Sequence, residues 1–303
     1  MEYAILGPLE VRLDGSPIAL GGPKQRALLA FFLLNANEIV SRDRLIDALW
    51  GERPPPSVNQ SLDSYVSRLR RVLGRDRLVR RPPGYLFRLE SGELDLARFE
   101  ELLAASREAS AAGDMAAAAA NLQSALALWR GPALADLLYE PFATLEAERL
   151  EERRLLALEE RIEVDLAAGQ GPELVPELEA LVEAHPFRER LLGQLMIALY
   201  RGGRQGDALA VLQAARQRLA AELGLEPGPQ LRELERRILR HDPELAPVAR
   251  AHRVRRRRSR RRAIALAALV GTCAVVAILL AVESANDGRL RKQLSGSRVG
   301  HRR

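Results

Sequence analysis

The order of short segments in the first ninety residues constrains the fold more than any other feature of this chain. Residues 2–20 alternate apolar and polar side chains between glycine-containing turns at residues 7–8 and 14–15, which predicts a small antiparallel sheet. Three helix candidates follow, and two β-rich runs flank a Pro-Pro-Gly turn at residues 82–84, which predicts a hairpin. Strands, three helices and a hairpin in this order are typical of a winged helix-turn-helix domain, which we assign to residues 1–92.

The three helix candidates have recognisable boundaries. The first covers residues 23–35 and begins with a proline, whose fixed φ suits the first turn of a helix. The second takes Ser41 as its N-cap and stops at Gly51. The third covers residues 57–73 and stops at Gly74. These local signals predict helix positions independently of any tertiary contact.

The Gly-Gly-Pro-Lys sequence at residues 21–24 invites comparison with a phosphate loop, but it lacks two of the residues that such a loop needs. Pro23 stands where the pattern requires glycine, and Gln25 replaces the hydroxyl side chain that would hold magnesium. Proline also lacks the N–H group that a phosphate cradle uses. We therefore predict a strand-to-helix turn whose free N–H groups and Lys24 contact a phosphate of DNA rather than a nucleotide.

The third helix and the hairpin carry the residues that predict a function. Leu62, Val66, Leu69 and Leu73 form an apolar stripe at helical spacing. The candidate DNA-binding residues lie on the opposite face of the helix, on the shoulder of that face and at the tip of the hairpin: Gln60, Ser61, Ser64, Tyr65, Ser67, Arg68, Arg71, Arg80 and Arg81. Arginine can bind guanine edges or phosphates, and short hydroxyl side chains permit close approach to the groove. The alternative is a solvated basic face without a nucleic-acid partner.

Charge is distributed unevenly along the chain. Residues 1–90 have a net charge of +4, and eight arginines with a single acid lie between Arg68 and Arg88. Residues 91–252 have a net charge of −10, and residues 253–303 have +12. Such asymmetry suggests that the three segments have separate roles.

Residues 93–245 are predicted to be helical throughout, with short Gly- and Pro-containing breaks. Two of these breaks, at Gly169 and Gly203, are 34 residues apart, which is the period of tetratricopeptide (TPR) helix pairs. We therefore predict an all-α, TPR-like domain, and we interpret its many charges as solvated helix faces.

The C-terminal part of the sequence predicts a membrane anchor. Residues 263–282, from Ala263 to Val282, contain no charge and are long enough to cross a bilayer as a helix. Eight arginines fall within residues 253–262 of a linker at 246–262, which favours a cytoplasmic, lipid-facing flank. The expected location is the cytoplasmic membrane, with a single pass, the N-terminus in the cytoplasm and a short external tail at 283–303. The alternatives are a nucleic-acid or import patch for the arginines and a buried core helix for the apolar segment.

Composition excludes several kinds of catalytic and metal site. The single cysteine, Cys273, allows no disulfide framework, and the four histidines have no metal-ligand spacing. The sequence contains no nucleophile–base pair and no complete phosphate loop. We predict that the chain is not an enzyme and requires neither a metal ion nor a cofactor.

Several longer motifs resemble those of one bacterial family. They are LGGPKQRALLAFFLLNANEIVSRDRLIDALWGERPP, SLDSYVSRLRRVLG and RPPGY in the first domain, and ALALWRGPALADL, HPFRERLLGQLMIALYRGGRQGDAL and ELGLEPGPQLRELE in the second. Together they make residues 3–240 similar to the Streptomyces antibiotic regulatory protein family, which combines an OmpR-type winged helix with a TPR-like bacterial transcriptional activation domain. A membrane span is not part of the usual pattern of the shorter family members.

The resemblance implies binding to tandem direct repeats of double-stranded promoter DNA, by two or more copies, and recruitment of RNA polymerase. It places Gln60, Ser61, Ser64, Tyr65, Arg68 and Arg70 at or near the major groove, and Arg81 in the wing. It also implies that the loop between the second and third helices contacts polymerase, through Trp50, Gly51 and Glu52. The expected function is therefore that of a membrane-tethered transcriptional activator. The alternative is a membrane-anchored, TPR-like interaction scaffold with a vestigial DNA-binding domain.

Overall fold

The computed structural model describes residues 1–246, which form one compact unit. The chain begins with a three-stranded antiparallel sheet made of β1 (Glu2–Ala4), β2 (Glu10–Leu13) and β3 (Ser16–Pro17), in that spatial order. Tyr3 lies opposite Val11 in this sheet, and both side chains are buried. The predicted N-terminal antiparallel sheet is thus confirmed.

The three predicted helices are present, with boundaries within one or two residues of the expectation. They are α1 (Pro23–Leu34), α2 (Arg42–Trp50) and α3 (Val58–Leu73). Ser41 caps α2, and its hydroxyl oxygen accepts a hydrogen bond from the backbone N–H of Arg44 at 3.2 Å. Gly74 ends α3 with a φ of 101°, which side chains other than glycine rarely adopt.

The hairpin belongs to a second sheet, which includes a strand that the sequence pattern did not predict. Strands β4 (Ile39–Ser41), β5 (Leu78–Arg81) and β6 (Gly84–Phe87) pair in the order β4-β6-β5. The three residues of β4 directly precede α2 and are too few to show an alternation of side chains. At Gly84, an added Cβ atom would lie 1.8 Å from the carbonyl oxygen of Val40, so β4 and β6 can approach this closely only because residue 84 is glycine.

Helix α1 lies at the centre of the first domain. Residues 27–33 of this helix are all buried, although an amphipathic surface helix would expose one side. The Phe32 ring stacks on Phe87 of β6, with ring centroids 6.1 Å apart, and meets Tyr85 edge-on. Helix α1 therefore joins the hairpin sheet to the remaining helices.

The rest of the described chain is helical. It contains α4 (Asp95–Ala111), α5 (Met115–Leu126), α6 (Pro141–Ala167), α7 (Val175–Ala184), α8 (Glu189–Arg201), α9 (Gln205–Leu223) and α10 (Pro229–Leu239), with two short 3₁₀ helices at Pro172–Leu174 and Pro243–Leu245. Consecutive helices pack extensively in pairs, most closely α4 with α5 and α8 with α9. A winged-helix domain followed by a helical domain is therefore confirmed.

The two domains share buried surface. Leu134, Leu137 and Ala143 of the helical segment belong to the hydrophobic core that α1 and the two sheets build. Phe31 of α1 meets Phe142 of α6 edge-on, with ring centroids 5.2 Å apart. The first domain is therefore packed against the second rather than connected to it only by a linker.

Within residues 1–246, none of the helices combines the length and the apolar character that a bilayer crossing requires. The predicted linker, the membrane span at 263–282 and the tail lie outside the described residues, apart from position 246 of the linker.

Candidate nucleic-acid interface

Helix α3 has one buried and one exposed face, as its sequence pattern predicts. Its apolar stripe of Leu62, Val66, Leu69 and Leu73 is buried in the core of the first domain. Gln60, Ser67, Arg68 and Arg71 are exposed on the remaining surface. The helix thus presents polar and basic side chains to solvent while its apolar stripe holds it in place.

The β5–β6 hairpin extends the same basic surface. Arg80 and Arg81 end β5 and are exposed, and Arg81 pairs with Gly84 across the turn. A cleft of about 740 Å³ separates α3 from this hairpin. The charged residues that line the cleft are Arg42, Asp63, Arg70, Arg71, Arg75 and Arg80, so five of the six carry a positive charge. Such a cleft attracts polyanions.

Four predicted contact residues, Ser61, Ser64, Tyr65 and Arg70, are only half-exposed. Ser61, Ser64 and Tyr65 lie on the flank of α3, between its buried stripe and its exposed face. The Tyr65 ring stacks on the Trp50 ring, with centroids 6.2 Å apart and an interplanar angle of 17°. This stack connects α3 to the end of α2.

Arg70 has a structural contact in addition to its predicted contact with DNA. Its Nε donates a hydrogen bond to the carbonyl oxygen of Leu78 at 2.7 Å, and its guanidinium lies 5.7 Å from the centroid of the Tyr85 ring. Arg70 therefore fastens the hairpin to α3. Arg68 and Arg71, which flank it in the sequence, have no ion-pair partner within residues 1–246.

Lys24 faces the helical domain. Its Nζ donates hydrogen bonds to the carbonyl oxygen of Leu49 at 2.5 Å and to the Oε2 atom of Glu140 at 2.8 Å. The Glu140 side chain is only 2 % exposed. Because this ammonium group is bound to a buried carboxylate, we do not include Lys24 among the proposed DNA contacts, contrary to the expectation from the sequence.

The loop predicted to contact polymerase begins where α2 ends. Trp50 is half-buried by its stack on Tyr65, Gly51 ends the helix with a φ of 59°, and Glu52 is exposed. Of these three, Glu52 is the side chain most available to a partner.

Three residues of the cleft, Arg42, Asp63 and Tyr85, were not among the predicted site residues. Arg42 Nη1 donates to Asp63 Oδ1 at 2.6 Å and to the Tyr85 hydroxyl at 2.8 Å, and that hydroxyl donates to Asp63 Oδ1 at 3.0 Å. The hydrogen bond from Arg42 holds the pKa of Asp63 below its ordinary value, whereas burial raises the pKa of Tyr85. One feature of the sequence could have drawn attention to this cluster: Asp63 is the only acidic residue of α3, a helix that also carries several arginines.

Within residues 1–246, no group of three or more His, Cys, Asp or Glu side chains is arranged to hold a metal ion. A basic helix and a basic hairpin on either side of an open cleft, fused to a helical array, define the class of OmpR-type winged-helix transcriptional regulators.

Comparison with known families and proteins agrees with this class. The family described as "Transcriptional regulatory protein, C terminal" matches residues 15–87, and "Bacterial transcriptional activator domain" matches residues 94–239. A family described as a protein of unknown function matches residues 229–291. The chain belongs to the Streptomyces antibiotic regulatory protein family of transcriptional regulators.

The chain is 47% identical over 252 residues to the regulatory protein AfsR of Streptomyces coelicolor, a match that covers 83% of this chain and 25% of AfsR. It is 37% identical over 254 residues to the regulatory protein DnrI of Streptomyces peucetius, covering 80% of this chain and 93% of DnrI. The structure of Mycobacterium tuberculosis EmbR in complex with a low-affinity phosphopeptide is similar, with a TM-score of 0.78 at 42% identity, covering 80% of this chain and 65% of that one. The chain thus spans about a quarter of the length of AfsR.

Proposed function

We propose that this chain is a DNA-binding transcriptional activator that inserts α3 into the major groove and places its hairpin against the neighbouring phosphates or minor groove. The observation that carries the proposal is the basic cleft, because Arg71 of α3 and Arg80 of the hairpin both line it. Arg68 of α3 and Arg81 of the hairpin are exposed on the same two elements, outside the lining of the cleft. Contacts between arginine and phosphate make such binding strongly dependent on salt.

The experiment is to measure the affinity of the Arg68→Ala and Arg81→Ala proteins for promoter duplex over a range of salt concentrations. Each variant is expected to bind more weakly. Its slope of log K against log salt concentration should be shallower by about 0.9, which is the value for the loss of one phosphate contact. Arg107→Ala is the matched control, since Arg107 is an exposed arginine of α4, in the helical domain. Unchanged affinity and slope in both interface variants would contradict the proposal. The absence of any sequence-specific footprint would instead favour the interaction scaffold.

The activating contact with RNA polymerase is proposed to involve the loop after α2, formed by Trp50, Gly51 and Glu52. The exposure of Glu52 and its place in the loop between α2 and α3 support this role. Glu52→Ala is expected to lower promoter-dependent transcription in vitro without lowering DNA affinity. Equal transcription by the variant and the parent protein at saturating DNA occupancy would exclude Glu52 from this contact.

We further propose that two or more copies of the regulator bind to promoter repeats. We also propose that residues 263–282 tether the regulator to the cytoplasmic membrane, with the DNA-binding domain in the cytoplasm. The support is the 20-residue uncharged sequence and the arginine-rich segment that precedes it. The full chain should sediment with membranes, and a chain truncated after Pro247 should remain in the supernatant. Recovery of the intact full chain in the supernatant would exclude the tether.

A further inference from the structure

The only acidic residue of α3 lies beside the basic cleft, where a carboxylate opposes DNA binding. Asp63 is 58% exposed, and α3 carries arginines at positions 68, 70 and 71. A negative charge at this position repels phosphates and lowers the affinity of the surface for any duplex. The structure provides a reason for its presence, because Asp63 is bonded to residues of two other elements.

Arg42, the first residue of α2, is the cation that Asp63 binds. Its side chain is 23% exposed. Nη1 donates hydrogen bonds to Asp63 and to the Tyr85 hydroxyl. Nη2 donates to the side-chain Oδ1 atom of Asn59 at 3.1 Å and to the backbone carbonyl oxygen of the same residue at 3.3 Å. Both terminal nitrogens of the guanidinium are therefore engaged within the protein, although the side chain lines a cleft that attracts phosphate.

The groups that face this ion pair come from four elements, one of which is β5, whose Arg80 lines the same cleft as Asp63 and Tyr85. Helix α2 supplies Arg42, α3 supplies Asn59, Asp63 and Arg70, and β6 supplies Tyr85, whose ring lies 5.9 Å from the Arg42 guanidinium and 5.7 Å from that of Arg70. Asp63 thus fixes the orientation of α3 relative to both α2 and the hairpin. The same ion pair compensates the charge of Arg42, an arginine that lines the basic cleft.

We propose that Asp63 is a specificity-determining residue of the DNA-binding surface, and that it acts by withholding Arg42 from the phosphate backbone while it fixes α3 against α2 and β6. This inference rests on the proposed DNA-binding function. Loss of the Asp63 charge releases one cation for sequence-independent contacts and loosens the helix that reads the bases. Non-specific affinity therefore increases while discrimination between sequences decreases.

The test compares the full-length Asp63→Asn protein with the parent protein on two duplexes of equal length. One duplex is selected by the parent protein from a random library, and the other is a scrambled version of it. On the scrambled duplex, the salt slope of the variant is expected to steepen by about 0.9, the value for one additional phosphate contact, which corresponds to about fivefold tighter binding at 0.15 M salt. The ratio of selected to scrambled affinity is expected to decrease about tenfold or more.

Two further variants separate the release of Arg42 from the loss of a negative charge. Asp76→Asn removes an exposed acid in the turn before β5 without affecting Arg42, so its salt slope should change less than that of Asp63→Asn. Adding Arg42→Ala to Asp63→Asn should return the slope on scrambled DNA to the parent value. A slope that stays steep in this double variant would contradict the assignment to Arg42.

The outcomes distinguish this inference from the proposed function. If the parent protein selects a sequence and Asp63→Asn binds both duplexes more weakly at an unchanged slope, Asp63 has only a structural role and the inference is wrong. Unchanged discrimination by the variant also overturns it. If the parent protein selects no sequence, the proposed sequence-specific function fails, and the slope on scrambled DNA still tests whether Asp63 withholds Arg42.

Discussion

Replacing Lys24 by methionine would leave a buried carboxylate without its cation at the contact between the two domains. Glu140 lies at the start of α6 with its side chain 2% exposed, and its Oε2 atom accepts the hydrogen bond from Lys24. Its Oε1 atom is buried and has no hydrogen-bond partner among residues 1–246. Methionine keeps most of the length of the lysine side chain, so the main change is the loss of the ammonium group.

The expected cost follows from the burial of the two partners. Removing one partner from a buried ion pair destabilises a protein by about 3–5 kcal/mol. The Lys24 side chain is 37% exposed, which reduces the strength of the pair, so we expect a loss near the lower end, about 3 kcal/mol. For a folded unit of this size, that corresponds to a fall in Tm of about 6–12 °C.

Thermal unfolding of the full chain, followed by circular dichroism at pH 7, measures this effect. The double variant Lys24→Met/Glu140→Gln should regain most of the lost stability, because it removes the unpaired charge. Arg218→Met is the control, since Arg218 forms an exposed pair with Glu222 on α9 and should change the stability by less than about 1 kcal/mol. Equal Tm values for the Lys24 variant and the control, or no recovery in the double variant, would refute the reasoning.

Two other changes test the hairpin sheet and the first strand. Gly84→Ala would place Cβ 1.8 Å from the Val40 carbonyl oxygen, so it is expected to destabilise the protein by at least about 3 kcal/mol and to weaken DNA binding. The control is Gly206→Ala on α9, where the added Cβ meets no atom within 4 Å and should not destabilise the protein. Calorimetry and gel shifts on both variants measure these effects. Burial raises the pKa of Tyr3 to about 12 from 10, so the folded state favours the neutral phenol, and the stability that this gives below pH 10 is lost as the pH rises towards 12. We therefore expect the difference in stability between Tyr3→Phe and the parent protein to shift in favour of the variant by up to about 2 kcal/mol between pH 8 and pH values above 10. A difference that does not change with pH would contradict the assignment.

The helix boundaries and the buried face of α3 could be predicted because they depend on local chemistry. Pro23, Ser41 and Gly74 act on the backbone within one turn of their own positions. Periodic leucine and valine residues determine which face of α3 is buried in any fold that contains it. Strand β4 could not be predicted, since its formation depends on pairing with β6, more than forty residues further along the chain.

The candidate site was predictable only in part. Arg68, Arg71, Arg80 and Arg81 are exposed as expected, and their contacts with DNA remain predictions. The charge of each side chain could be read from the sequence. Whether a charged side chain binds another group of the same protein could not. Lys24 pairs with a residue 116 positions away, an association that no local pattern shows.

The sequence by itself determined the order of the elements, the faces they bury and the charge of each segment, because propensity, capping and hydrophobic periodicity act over a few residues. It also contains the predicted membrane span, which remains a prediction. Only the tertiary structure decided which charges face solvent and which are bound internally, as at Arg42, Arg70 and Lys24. The physical reason is that an ion pair or hydrogen bond requires two groups within about 3 Å, and that distance is established only when segments far apart in the chain pack together.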